Sequence, residues 1–110
     1  MIKIKVSDDF TMTPGARYKS DGDFSGELFR ESILEAKYIE ARDEGVKLFV
    51  DLDDGYGYAQ SFLEEAFGGL AREHGARSVE DILIIKSDDT PIYIEKIKQC
   101  ISDTLTKAKR

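Results

Sequence analysis

The stretch Val46-Lys47-Leu48-Phe49-Val50-Asp51-Leu52, followed by Asp53-Asp54-Gly55-Tyr56-Gly57-Tyr58, decides the fold. Val46, Leu48, Val50 and Leu52 alternate with a period of two, which predicts a strand with a buried face. Phe49 adds bulk on the opposite side, and near-continuous apolarity predicts a strand covered on both faces. The glycine turn ends it, and a helix is expected from about Ser61 to His74. Ser61 and Glu64 stand in the S-x-x-E spacing of a capping box. Leu63, Ala66, Phe67 and Leu70 form its apolar face, and Gly75 terminates it. Gly68 and Gly69 inside that helix each cost about 1 kcal/mol relative to Ala, which implies close approach by a neighbour.

Working outward, Ile2, Ile4 and Val6 alternate with Lys3 and Lys5, the pattern of a first strand. Phe10 and Met12 extend the alternation to Pro14-Gly15, predicting a second short strand, and residues 14–22 read as a loop. Ser25 is a fitting N-cap for a helix whose first turn holds Glu27. Leu28, Phe29, Ser32, Ile33, Ala36 and Ile39 share its apolar face, Leu34 and Tyr38 fall off it, and Gly45 suits a left-handed end. Ile82–Ile85 is a short apolar strand. Thr90 or Asp89, then Pro91, open a last helix. Its stripe is Tyr93, Ile97, Cys100, Ile101, Thr104, Leu105 and Ala108, and Lys107, Lys109 and Arg110 fall at its negative end. The expected order is β-β-α-β-α-β-α: one α/β domain over residues 1–110, a mixed sheet of about four strands packed by three helices.

Composition narrows the function classes. The 110 residues carry a net charge of −6, with 41% hydrophobic and 35% charged residues, as expected of a folded domain with a charged surface. Acidity argues against a general nucleic-acid binder. The charge is uneven: residues 91–110 hold five basic and two acidic side chains. No apolar run approaches the roughly 20 residues of a membrane span. The alternating start is unlike a signal peptide, and a cytoplasmic protein is expected. The single Cys100 excludes an internal disulfide, and with one histidine no Cys/His zinc cluster can form.

Few residues carry chemistry. Asp51, Asp53 and Asp54 follow the central strand, where α/β proteins place sites, and suit a hard cation; a solvated acidic turn explains them equally and more simply. Glu64 and Glu65 point about 100° apart and cannot form a facing acid/base pair. His74 reads as a capping residue at a helix C-terminus and Cys100 as inert core. Gly55-x-Gly57 and Gly68-Gly69 lack the spacing of nucleotide loops, so no cofactor or metal is expected. Ser61, Glu65, Gly68 and Arg72 share one stripe of the second helix, opposite its apolar face. Together with Gly57 and Tyr58 they make the candidate partner-binding surface. A phosphate on Ser61 would sit at the positive end of the helix dipole.

The run Val-Lys-Leu-Phe-Val-Asp-Leu-Asp, a glycine turn, then Ser-Phe-Leu-Glu-Glu-Ala-Phe-Gly-Gly-Leu resembles the STAS-like family, small bacterial and phage domains of unassigned function. The block Pro14-Gly15-Ala16-Arg17-Tyr18, then Asp21-Gly22-Asp23-Phe24-Ser25-Gly26-Glu27-Leu28-Phe29-Arg30, is similar to the same family's N-terminal half. The resemblance marks Arg17, Asp21, Gly22, Ser25 and Arg30 as family-motif residues. It implies a fold like the anti-sigma-factor antagonists, which bind a kinase-like ATPase and are switched by phosphorylation at the start of the helix after the central strand. Ser61 holds the corresponding place, although Ala59-Gln60-Ser61-Phe62 stands where the antagonists usually carry Asp-Ser-Ser-Gly or Asp-Ser-Thr-Gly. The implied function is a non-enzymatic regulatory domain that binds a protein partner. Two alternatives remain. One is a small-ligand or enzymatic pocket in which Arg17, Asp21 and Arg30 face the Asp51–Asp54 turn; the other is an acidic decoy.

Overall fold

A computed structural model describes residues 1–108, except the side chains of residues 106–108. Lys107 and Ala108 lie on the last helix as expected, with their side chains outside what is described, and Lys109 and Arg110 lie outside the described residues. The elements are β1 (Ile2–Lys5), a single turn α1 (Val6–Asp9), α2 (26–44), β2 (Leu48–Asp51), α3 (60–74), α4 (Ala76–Ile82), β3 (Leu83–Lys86) and α5 (Ile92–Ala108), with a 3-10 turn at Lys19–Asp21. The sheet has three strands, all parallel, in the order β1-β2-β3.

The fourth strand expected at Phe10–Met12 is absent. The Lys5 amide instead donates to Asp9 Oδ2 at 2.8 Å, closing α1. Phe10 then turns inward, its ring 5.3 Å from Phe29 and 6.4 Å from Phe62. An aromatic cluster therefore claims the side chain that would have continued the alternation.

Strand register sorts the sheet into two unlike faces. Ile4, Leu48 and Val50 are fully buried beneath the helices, with Ile2, Leu83 and Ile85 beside them. On the other face the rows are Lys3–Phe49–Ile84 and Lys5–Asp51–Lys86, and all six residues keep solvent access. The expectation that β2 is covered on both sides is thus corrected. Phe49 is half-buried between neighbours in its own sheet rather than under a second layer.

The helix caps at α2 follow the sequence. Ser25 Oγ accepts from the Leu28 amide at 3.0 Å, and Gly45 ends the helix at φ 69°. Of the face read at 3.6-residue spacing, Phe29 is fully buried and Ile33 and Ile39 pack half-buried against the core, but Leu34, Tyr38 and Ala41, which lie outside it, are fully buried. Residues Arg30–Leu34 form a π-turn, which inserts one extra residue and rotates everything after it. Leu34 and Tyr38 thereby enter the core, while Ser32 and Ala36 turn outward. α3 carries the same device at Glu64–Gly68. It is the central helix: Phe62, Leu63, Ala66, Phe67 and Leu70 are all fully buried. α5 buries Ile97, Cys100, Ile101 and Thr104 as expected, while Leu105 is exposed.

Candidate functional site

The two π-turns meet, and charged residues fill their crossing. Arg30 of α2 is 8% exposed and Glu65 of α3 is 6% exposed. Arg30 Nη2 donates to Glu65 Oε2 at 2.8 Å and its Nε donates to the Glu65 carbonyl at 3.2 Å. The carbonyl is free to accept because a π-turn interrupts the ordinary helical bonding pattern. The glycine pair makes the passage. A Cβ on Gly69 would lie 2.6 Å from Arg30 Nε and 3.1 Å from its Cδ. One on Gly68 would meet Glu64 Oε2 at 2.5 Å. The cost of the helical Gly69 is therefore offset by the buried guanidinium it admits, while Gly68 gives room to the Glu64 carboxylate.

Two further arginines close the network from outside. Arg17, in the long loop before α2, pairs with Glu64, and Arg72 Nη1 reaches Glu64 Oε2 at 2.6 Å. Both also lie within 4 Å of Glu65, at 3.9 and 3.7 Å. Burial pushes the Glu64 carboxyl up, but the hydrogen bonds from Arg72 and Arg17 outweigh it and hold it below the ordinary carboxylate value. Burial disfavours the Arg30 cation, and its bond to Glu65 more than compensates.

This arrangement corrects four expectations. Glu64 is not the partner in a capping box: the helix N-cap is Ala59, Ser61 is the second helical residue, and Glu64 serves two arginines. Glu65 does not face solvent. The stripe Ser61–Glu65–Gly68–Arg72 is no open groove, because Glu65 and Gly68 are buried. Nor does His74 cap its helix; its Nε2 lies 2.9 Å from Glu35 Oε2 on α2.

The loop residues separate. Arg17 and Arg30 join the α2–α3 network, Ser25 caps α2, and Asp21 and Gly22 stay exposed on the 3-10 turn. They do not gather at the Asp51–Asp54 turn, so the pocket that the ligand-binding alternative requires is not formed there. The acidic turn has its own partners. Asp53 is buried, takes the Asp89 amide at 2.9 Å and pairs with Lys86. Burial raises its carboxyl, and those hydrogen bonds bring it below the usual value. Asp51 accepts the Asp53 amide at 2.9 Å, and Lys5 reaches Asp54 at 2.8 Å. These carboxylates are spent on holding the turn.

At the far end of α3 lie Gly57, Tyr58 and Ser61. Tyr58 is buried, its amide donating to the Tyr93 hydroxyl at 3.0 Å and its own hydroxyl to the Leu52 carbonyl at 3.3 Å. Burial drives its phenol upward from the ordinary value. Gly57 has φ 115°, a region that suits glycine. A small polar cavity of about 140 Å³ lies here, between the turn after β2 and the start of α5. Ser61 is half-buried. One residue escaped the sequence reading: Tyr56 is 80% exposed on this turn, while its amide is fixed to the Met12 carbonyl at 2.8 Å. A tyrosine between two glycines was the available signal.

Among the described residues, no helix is long and apolar enough to cross a membrane. No curated protein and no solved structure matches the chain. A family model does, over residues 25–93, a span that takes in Ser25, Arg30, both π-turns, the glycine pair and Tyr93. The chain belongs to that family, described as the STAS-like domain of unknown function (DUF4325).

Proposed function

We propose that this chain is a non-enzymatic regulatory domain that binds a protein partner through the start of α3 and the turn before it. The observation that supports this reading is Tyr56. A large aromatic ring stands 80% exposed on a turn whose backbone is pinned to Met12. Exposed tyrosines on a fixed backbone are favoured anchors in protein interfaces, since a large ring is ordered at the cost of only two side-chain torsions. Ser61 follows Gly57 by four residues in the sequence and stands half-exposed in the first turn of α3. A phosphate there would meet free helix amides and a favourable dipole, so it would change the charge of the interface without unfolding the domain. A kinase-like ATPase is the partner class that the fold resemblance suggests. The buried Glu65 and Gly68 then support the interface from below, while Gly57, Ser61 and Arg72 lie at its accessible edge.

The test is affinity capture from the native host with wild type, Tyr56→Ala and Ser61→Asp, each checked for folding by circular dichroism. A partner retained by wild type and lost by both variants supports the reading. Equal capture by all three places the interface elsewhere. Phosphopeptide mapping of the chain isolated from the host decides the switch: phosphate on Ser61 supports it, and none under any growth condition removes it.

A further inference from the structure

A second cluster lies outside this surface, on the opposite end of the α2–α3 pair. Glu35 comes from α2, and Glu73 and His74 from the last turn of α3. One potential ligand atom from each lies within 4.8 Å of the others. His74 Nε2 is 2.9 Å from Glu35 Oε2. Bonds of about 2.0–2.1 Å to nitrogen and oxygen around a tetrahedral ion put neighbouring ligands roughly 3.3 Å apart, so small side-chain rotations would suffice. The imidazole is already oriented: its ring lies 4.9 Å from that of Tyr38, a fully buried residue whose hydroxyl is tied to Ser78. Glu73 meets Arg30 through Oε1 at 3.2 Å, which sets the carboxylate beside the network.

We propose that Glu35, Glu73 and His74 bind a divalent transition ion of the zinc class, clipping α2 to α3. One imidazole and two carboxylates are a mixed N/O set, which suits zinc better than magnesium or calcium. Three protein ligands leave a fourth position for water.

The chain has a single histidine, so its imidazole resonances report this site alone. The experiment is a zinc chloride titration of the EDTA-treated full chain, followed by calorimetry and by proton NMR of His74. Binding of one equivalent with a saturable shift of the His74 signals is expected, and magnesium chloride at the same concentration should leave them in place. Glu35→Gln and His74→Asn should each weaken zinc binding by about tenfold or more. The proposal falls if the imidazole signals do not move by one equivalent, or if both variants bind zinc as wild type does. Should His74→Asn fail to fold, the wild-type imidazole titration still decides.

Discussion

Arg30 and Glu65 form a buried, two-point contact between neighbouring helices: the guanidinium takes the carboxylate through Nη2 and the main-chain carbonyl of the same residue through Nε. Removing one partner strands a charge with little water to receive it. Arg30→Met or Glu65→Leu alone should cost about 3–5 kcal/mol. The double variant should lose less than the sum of the two, by about 1–3 kcal/mol. Urea denaturation of the four proteins measures this cycle, and additive losses would show that the pair is not coupled.

The two glycines should differ in their tolerance. Gly69→Ala forces the Arg30 stem out of its passage, and overpacking of this kind costs about 1–3 kcal/mol. Gly68→Ala displaces only the tip of the Glu64 carboxylate, on a side chain that can swing. There the gain in helix propensity, about 1 kcal/mol, should offset the disturbance. Thermal melts of the two variants compare them directly; equal destabilisation would refute this account of the pair.

Acid should weaken the fold through carboxyls whose folded-state values are depressed, Asp53 and Glu64 among them. A group of this kind contributes stability that is fully present above its unfolded value, near 4, and is lost as pH falls through the lower folded value. The urea midpoint should therefore change little from these groups above about pH 5 and fall steadily below pH 4. Asp53→Asn should flatten part of that decline, and an unchanged slope would mean that its pairing with Lys86 and the Asp89 amide carries no linkage.

Ser61→Asp should leave stability within about 0.5 kcal/mol of wild type or raise it slightly, because an acidic side chain in the first turn is favoured by the dipole. Ser61→Lys should be the less stable of the two. A Ser61→Asp protein that melts well below wild type would show that this position cannot accept negative charge and that a phospho-switch there would unfold the domain.

Much of the frame was legible in the sequence. β1 follows from the Ile2–Val6 alternation, β2 from Leu48 to Asp51, α2's start from Ser25 and its end from Gly45. What escaped has one main physical cause. A π-turn changes helical phase without leaving a mark in residue type. The core membership of Leu34 and Tyr38 and the burial of Glu65 therefore contradict a pattern read at 3.6 residues. The Gly68–Gly69 pair did announce a close approach, but nothing local named Arg30, 39 positions from Gly69 in the chain, as the intruder. Likewise the S-x-x-E spacing at Ser61 was real, and Glu64 was drawn away by Arg17 and Arg72, contacts that no local window contains. The bare outer face of the sheet was hidden by Phe49, whose bulk reads the same whether it meets a helix or the side chains of adjacent strands.

The order β1-β2-β3 has a consequence for how the chain acquires its shape. Spatial order and synthesis order coincide, so each strand on leaving the ribosome finds the edge it pairs with already made. No strand has to be inserted between two others, and no early pairing must be broken to admit a later one. Assembly can proceed in one direction, from β1 through α2 to β2 and then through α3 and α4 to β3, with α5 closing over the helices last.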